Sequence, residues 1–160
     1  MFFEWLNNLP HELGTVVIAM TPILELRASI PIALGVYKMS IPSAIFFSAI
    51  GDMIPAVIIL RYAGVISELM SKHSRFFDNA MKWWAKRTEK KFLDGFAKYG
   101  LAALFIFVAV PLPGTGSWSG ALAAFLFRLP FLPSLLAIAA GVFVAAFIVA
   151  GASAGALAIF

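Results

Sequence analysis

Pro111–Gly120 reads PLPGTGSWSG and lies between GLAALFIFVAV on one side and ALAAFLF on the other. Both flanks would be at home in hydrocarbon. The stretch between them holds two prolines, three glycines, a threonine and two serines. No other feature constrains the fold so tightly, because unpaired N–H and C=O groups facing lipid are strongly unfavourable. A continuous helix does not run comfortably through Pro111, Pro113, Gly114 and Gly116. Irregular backbone at membrane depth survives only against protein or in a watery cavity, so this break is expected to line an internal, solvated site.

The lipid setting follows from composition. The chain is 62% hydrophobic and 12% charged, against about 25% charged in an ordinary soluble domain. A water-soluble fold of 160 residues could not hide that much apolar surface, so an integral membrane protein is expected. The chain has no cysteine, which excludes disulfides, thiol nucleophiles and thiolate metal sites. The start, MFFEWLNNLPHELG, has no basic region ahead of an apolar core, so its apolar stretch is read as mature protein rather than a cleaved signal. No His/Asp/Glu metal spacing and no nucleophile–base arrangement stands out. An enzyme, a metal, a cofactor and a nucleic-acid partner are therefore not expected.

Five segments organise the chain. Residues 1–13 carry Glu4 and Glu12 but no Lys or Arg. Residues 14–37 are apolar at both ends and polar in the middle. Residues 42–64 are long enough to span. Residues 65–98 hold eight of the twelve basic residues: Lys72, Arg75, Lys82, Lys86, Arg87, Lys90, Lys91 and Lys98. Residues 99–160 form a second apolar half. In the basic segment, Ile66, Leu69, Phe77, Ala80, Trp84 and Phe92 recur at a broken helical period. That pattern predicts an amphipathic linker helix lying at the interface, on anionic lipid or a partner. The excess of positive charge places it in the cytoplasm. His73 and His11 are read as ordinary polar residues.

The two halves share an order. Pro22 and Pro111 are 89 residues apart, Lys38 and Arg128 are 90, Pro42 and Pro133 are 91, and Gly51 and Gly141 are 90. Each half runs from an apolar stretch through a proline break to a basic residue, a proline and a long span with a central glycine. An internal repeat is expected, with repeat 1 at about 14–64, the linker at 65–98 and repeat 2 at about 99–160. Paired interrupted segments of this kind point to a binding site in small transporters. Two geometries fit the breaks. Each broken segment either crosses as a discontinuous helix, giving four spans, or enters and returns as a re-entrant hairpin, leaving one span per half and inverting the repeats. The charge bias favours hairpins, with both termini outside, by a margin of one residue.

Charge sits in the first break. Glu25 and Arg27 in TPILELRASIP, and Asp52 near the middle of the 42–64 span, are costly in hydrocarbon: roughly 2.5–3.5 kcal/mol for Asp, Lys or Arg at a membrane centre. Such residues face an interior or a water path. They mark a site for Glu25 and Arg27, against the alternative of a pair that ties two hairpins together; for Asp52 the two readings balance. Arg61 is near a span end and can reach the surface. In the second break, the Gly-rich turn and the helix start at Ser117 are expected to attract an anion, with hydroxyls from Thr115, Ser117 and Ser119. Trp118 reads as packing before ligand platform. Gly116–Gly120 and Gly151–Gly155 have the spacing of close helix contacts.

PILELRASIPIALG and VAVPLPGTGSWSGALAA, separated by a basic amphipathic linker, resemble the small multidrug export protein family over essentially the whole chain. That family is regarded as a distant relative of the DedA/VTT membrane proteins. The resemblance implies two facing re-entrant hairpins, an inverted repeat, and transport or flipping of a substrate, with polyprenyl-phosphate carriers moved in the DedA branch. The motif positions are Glu25, Arg27 and Pro31, then Pro111, Pro113, Gly114, Thr115, Gly116 and Gly120. Asp52 stands where the pattern commonly has Asn.

The expectation is an all-α, multi-pass transporter-like protein of an inner or archaeal plasma membrane. A small or lipid-linked anion would be held by Arg27, Pro111, Pro113, Gly114, Thr115, Gly116 and Ser117. Glu25 and Asp52 would carry a proton, membrane lipids would be partners, and a homodimer is left open. The rival is a non-transporting membrane interaction protein whose Glu–Arg pair is structural.

Overall fold

A computed structural model describes residues 9–73, 99–112 and 114–159. Among these, all regular structure is helical. In chain order the helices are α1 (His11–Ala19), α2 (Glu25–Gly35), α3 (Ile41–His73), α4 (Tyr99–Ala109), α5 (Ser117–Leu126) and α6 (Phe131–Ile159). Four are short. At about 1.5 Å per residue, nine to eleven residues reach about half of a roughly 30 Å hydrocarbon core. Ile41–Tyr62 in α3 and Phe131–Leu157 in α6 are long and apolar enough to cross a membrane.

The short helices pair as antiparallel arms. His11 at the start of α1 stacks on Tyr37, just beyond α2, with ring centroids 4.8 Å apart. A Cβ on Gly14 would lie 3.0 Å from the Tyr37 hydroxyl. In the second half, a Cβ on Gly100, at the start of α4, would lie 3.5 Å from Leu129, just beyond α5. One on Gly120, in the first turn of α5, would fall 2.6 Å from Val108 near the end of α4. Each half is thus a short helical hairpin followed by a long helix.

Three further correspondences join the halves at the expected spacing. Lys38 and Arg128 both take left-handed backbone, at φ 54° and 52°, in the turns after α2 and α5. Glu25 and Gly114, 89 positions apart, share it at φ 48° and 84°. Gly51 receives Val16 and Ala19 of α1, while Gly141 receives Phe105 and Val108 of α4. These glycines are where arm meets span: a Cβ on Gly141 would sit 2.9 Å from the Phe105 carbonyl oxygen, so only hydrogen fits.

Packing between the halves is crossed. Gly64 of α3 lies against Phe125 of α5, and Gly35 of α2 lies against Leu157 of α6. The second arm of each hairpin therefore leans on the long helix of the other half. Asp52 meets Ser117 and Gly64 meets Phe125, so α3 and α5 run in the same direction. The tight turn after α5 reverses the chain, with Gly120 facing Ile138. Hence α3 and α6 run in opposite directions. The buried core at the crossing is rich in small residues: Ala33, Ala44, Ala49, Ala56, Ala121, Ala124, Ala145 and Ala146, with Ile30, Leu104 and Ile138 filling between them. Small residues let backbones approach closely where apolar solvent offers no hydrophobic drive. Outside, Phe46, Ile50, Val57 and Ile58 on α3, and Leu136, Phe143, Phe147 and Ile148 on α6, are exposed.

One boundary differs from the sequence reading. The expected end of the first span near Gly64 is not a break: α3 continues to His73, because a single glycine costs a helix only about 1 kcal/mol. Pro31 and Pro55 lie within helices. The rest of the expected linker helix, with Arg75, Lys82, Lys86, Arg87, Lys90, Lys91 and Lys98, lies outside the described residues. So does Pro113.

Candidate functional site

The tips of the two hairpins meet beside the middle of α3. α1 ends at Ala19, and Thr21 donates its hydroxyl to the Ile18 carbonyl at 2.7 Å, closing the helix before Pro22. The chain restarts at Glu25, which is buried in left-handed backbone. That conformation disfavours any side chain with a Cβ and persists where surroundings over-determine it. Here the Glu25 carboxylate is ion-paired and hydrogen-bonded to Arg27 Nη1. It also lies so close to Gly116 that a Cβ there could not be accommodated. Arg27 Nη2 donates to the Thr115 hydroxyl at 3.2 Å. Residues 88 positions apart in the chain are thereby joined, break to break.

Asp52 completes the cluster. It is fully buried at the midpoint of the Ile41–Tyr62 stretch. Ser117, at the first position of α5, directs its hydroxyl to the Asp52 carbonyl at 2.7 Å and to Oδ1 at 2.9 Å. Asp52 Oδ2 has no hydrogen-bond partner among the described residues, nor do the buried Arg27 Nε and Trp118 Nε1. Pro55 cannot donate to the Gly51 carbonyl, nor Pro31 to that of Arg27. The helices are thus loosened on either side of the cluster.

The second break is closed by its own threonine. Thr115 Oγ1 lies 2.6 Å from the Val110 carbonyl oxygen and 2.8 Å from that of Leu112, and accepts from Leu112 N–H at 3.1 Å. Thr115 N–H donates to Leu112 O at 3.1 Å, and Leu112 N–H to Val110 O at 2.8 Å. Gly116 N–H donates to Ser119 Oγ at 3.0 Å. Gly114 stands open at the tip, and a Cβ there would meet nothing within 4 Å.

The expected residues are therefore brought together. Glu25, Arg27, Thr115, Gly116, Asp52 and Ser117 form one contiguous cluster, with Pro111 at its edge and Gly114 beyond it. The amides of Leu112, Thr115 and Gly116 are used in hydrogen bonds within the second break, and Arg27 faces Glu25. Ser117 serves Asp52. Gly116–Gly120 makes close contacts through both glycines, whereas a Cβ on Gly151 or Gly155 would have no neighbour within 4 Å. The Ser29–Ser48 hydrogen bond, 2.7 Å and buried between α2 and α3, is not foreshadowed by the sequence pattern. Neither is the role of Pro55, although its position three residues after Asp52 is a signal for it. Among the described residues no group of three or more His, Cys, Asp or Glu is placed to hold a metal.

No curated protein and no solved structure matches the chain at a significant level. Residues 25–148 match the family model described as "Putative small multi-drug export protein". The match begins at Glu25, the first charged residue of the cluster, just after the first break, and covers the second break, the whole Ile41–Tyr62 stretch and most of Phe131–Leu157. With two helices long and apolar enough to cross the bilayer, the chain is a membrane protein, and it belongs to the small multi-drug export protein family.

Proposed function

We propose that this protein is an exporter-like transporter whose substrate site lies at mid-membrane, where the two hairpin tips meet. The observation that carries this reading is the Arg27–Thr115 hydrogen bond, which brings two backbone breaks together beside a buried carboxylate. Discontinuous helices that meet near the membrane centre are how small transporters build a site from polar backbone. The family description points the same way.

In this reading α1–α2 and α4–α5 are re-entrant hairpins and the halves are inverted repeats, the architecture implied by the DedA/VTT resemblance. The opposed directions of α3 and α6, the paired left-handed residues and the short arms support it. The exposed apolar faces of α3 and α6 contact lipid, and the basic stretch after α3 faces the cytoplasm. Alternating exposure requires the tips to separate and rejoin, and the contacts that would open are Arg27–Thr115 and Glu25–Gly116. Asp52 carries the coupled proton, while Glu25 acts as the latch partner of Arg27.

The Glu25–Arg27–Thr115 link also favours a second reading, in which the pair only ties two hairpins together in a non-transporting interaction protein. Flux separates them. Purified protein in liposomes should move amphiphilic solute or lipid above the rate of empty vesicles. Glu25→Gln and Arg27→Ala should abolish that movement while the protein still inserts and melts cooperatively. Equal flux from wild type and both variants would remove the site from the mechanism, and no flux from wild type would favour the second reading.

A further inference from the structure

The outward face of α3, away from the polar cluster, is hollowed. Ile50, Met53, Ile54, Val57 and Ile58 of α3, together with Phe143 of α6, line an apolar cavity of about 440 Å³. That volume falls within the range of single-ligand sites, about 300–1,000 Å³. Ile50, Val57, Ile58 and Phe143 are exposed, so the hollow opens away from the protein. A face that only meets bulk lipid has no need of such a hollow. Side chains bordering an unfilled space lose the dispersion contacts that a fitted occupant supplies.

The size and the charge at one end say what fits. The lining begins at Ala49 and ends at Ile58, nine residues on, which is about 14 Å along a helix. That is close to half of a roughly 30 Å hydrocarbon core, the reach of an acyl chain within one leaflet. Met53, Val57 and Arg61 follow at steps of four, so Arg61 stands one turn beyond the hollow on the same helix face. Arg61 is exposed, and with Tyr62 it closes the apolar stretch of α3. Tyrosine suits the headgroup level there. Among the described residues the only ion pair is Glu25–Arg27, and α6, which supplies the other wall, contains no acidic residue. No protein carboxylate therefore meets the Arg61 guanidinium, whose planar fork matches a phosphate. A second copy of the chain is a poorer occupant. A twofold contact through this face would set Arg61 against its own copy at the same depth, and like charges oppose such a contact.

We propose that the outer face of α3 is a binding site for one anionic phospholipid, with an acyl chain in the hollow and its phosphate on Arg61. The site is separate from the cluster at the hairpin tips, and it requires only that the protein lie in a membrane. It therefore stands or falls independently of transport.

The test is native mass spectrometry of the full chain in detergent, with dioleoyl phosphatidylglycerol and dioleoyl phosphatidylcholine supplied in equal amounts. The first lipid retained should be phosphatidylglycerol, by at least about fivefold. Arg61→Gln should bring the two lipids near parity. Val57→Trp, which fills the hollow and keeps the charge, should lower retention of both. Arg128→Gln removes an equal charge from the turn after α5, which supplies no lining residue, and should leave the preference intact. Glycerol 3-phosphate, a headgroup without chains, should not displace the lipid. The lipid preference and the failure of glycerol 3-phosphate to compete are read on the wild-type chain, so a variant that fails to fold leaves the test intact. Equal retention of the two lipids by wild type overturns the proposal, as does full displacement by glycerol 3-phosphate. An equal loss from Arg128→Gln would assign the preference to general surface charge and overturn it too. A wild-type dimer that Val57→Trp converts to monomer, with lipid retention unchanged, would give the face to a second copy instead.

Discussion

The carboxylate of Glu25 occupies the space that a Cβ on Gly116 would need, leaving no room for a side chain at 116. The residue that most needs a fixed position, a buried acid in left-handed backbone, is wedged by the only residue type that can yield the space. Gly116→Ala should push the carboxylate off Arg27 and cost about 1–3 kcal/mol, as overpacking does. Glu25→Asp in the same chain shortens the side chain and should recover a good part of that loss. Thermal unfolding in detergent reads both; an unperturbed Gly116→Ala variant would mean the contact is not tight in the protein.

Where arm meets span, backbone leaves no slack. A Cβ on Gly51 would run into the Val16 carbonyl and lie 2.8 Å from Ala19 Cβ; on Gly141 it would lie 2.8 Å from Val108 Cβ. Alanine normally improves a helix by up to about 1 kcal/mol over glycine. At positions 51 and 141 the steric cost should win and the melting temperature should fall. At 151 and 155, where a Cβ would meet nothing within 4 Å, alanine should be neutral or stabilising. The same melting experiment on four single variants decides it, and a fall at 155 matching that at 51 would contradict the packing.

Ser29 and Ser48 form a closed polar pair. Replacing either alone strands its partner's hydroxyl, at about 1–3 kcal/mol, while replacing both should be nearly neutral. A double-mutant cycle should return a coupling of about 0.5–3 kcal/mol. Additive losses would show that each hydroxyl finds a backbone acceptor of its own.

The re-entrance proposed for α1–α2 has a consequence for sides. His11 and Tyr37 stack, so cysteines placed there should react with an impermeant maleimide from the same side of the membrane. A chain with no natural cysteine makes the labelling direct. Reaction from opposite sides would mean that the first break is a crossing.

Much of this architecture is legible in the sequence. The proline breaks at 22 and 111 are the two tips, because proline and clustered glycine end helices whatever surrounds them. The spacing near 90 reappears in Lys38 and Arg128, which share a backbone conformation although their neighbours differ. Asp52, Glu25 and Arg27 come together because charges in an apolar chain have few other partners. What the sequence does not carry is direction. Whether the threonine of PLPGTG turns inward to close its loop depends on tertiary contacts that spacing does not encode. The continuation of α3 past Gly64 is hidden for a related reason: one glycine weakens a helix without ending it.

The crossed packing of arms and spans has a consequence for how the chain holds together. Because α2 leans on α6 and α5 on α3, neither half alone covers the polar tip of its own hairpin. A half made separately would expose that tip, and two complementary halves would each supply the surface the other lacks. The molecule is therefore interlocked in the way of two subunits that have exchanged arms. Halves expressed as separate chains should find one another in the membrane, and neither should persist there without its counterpart.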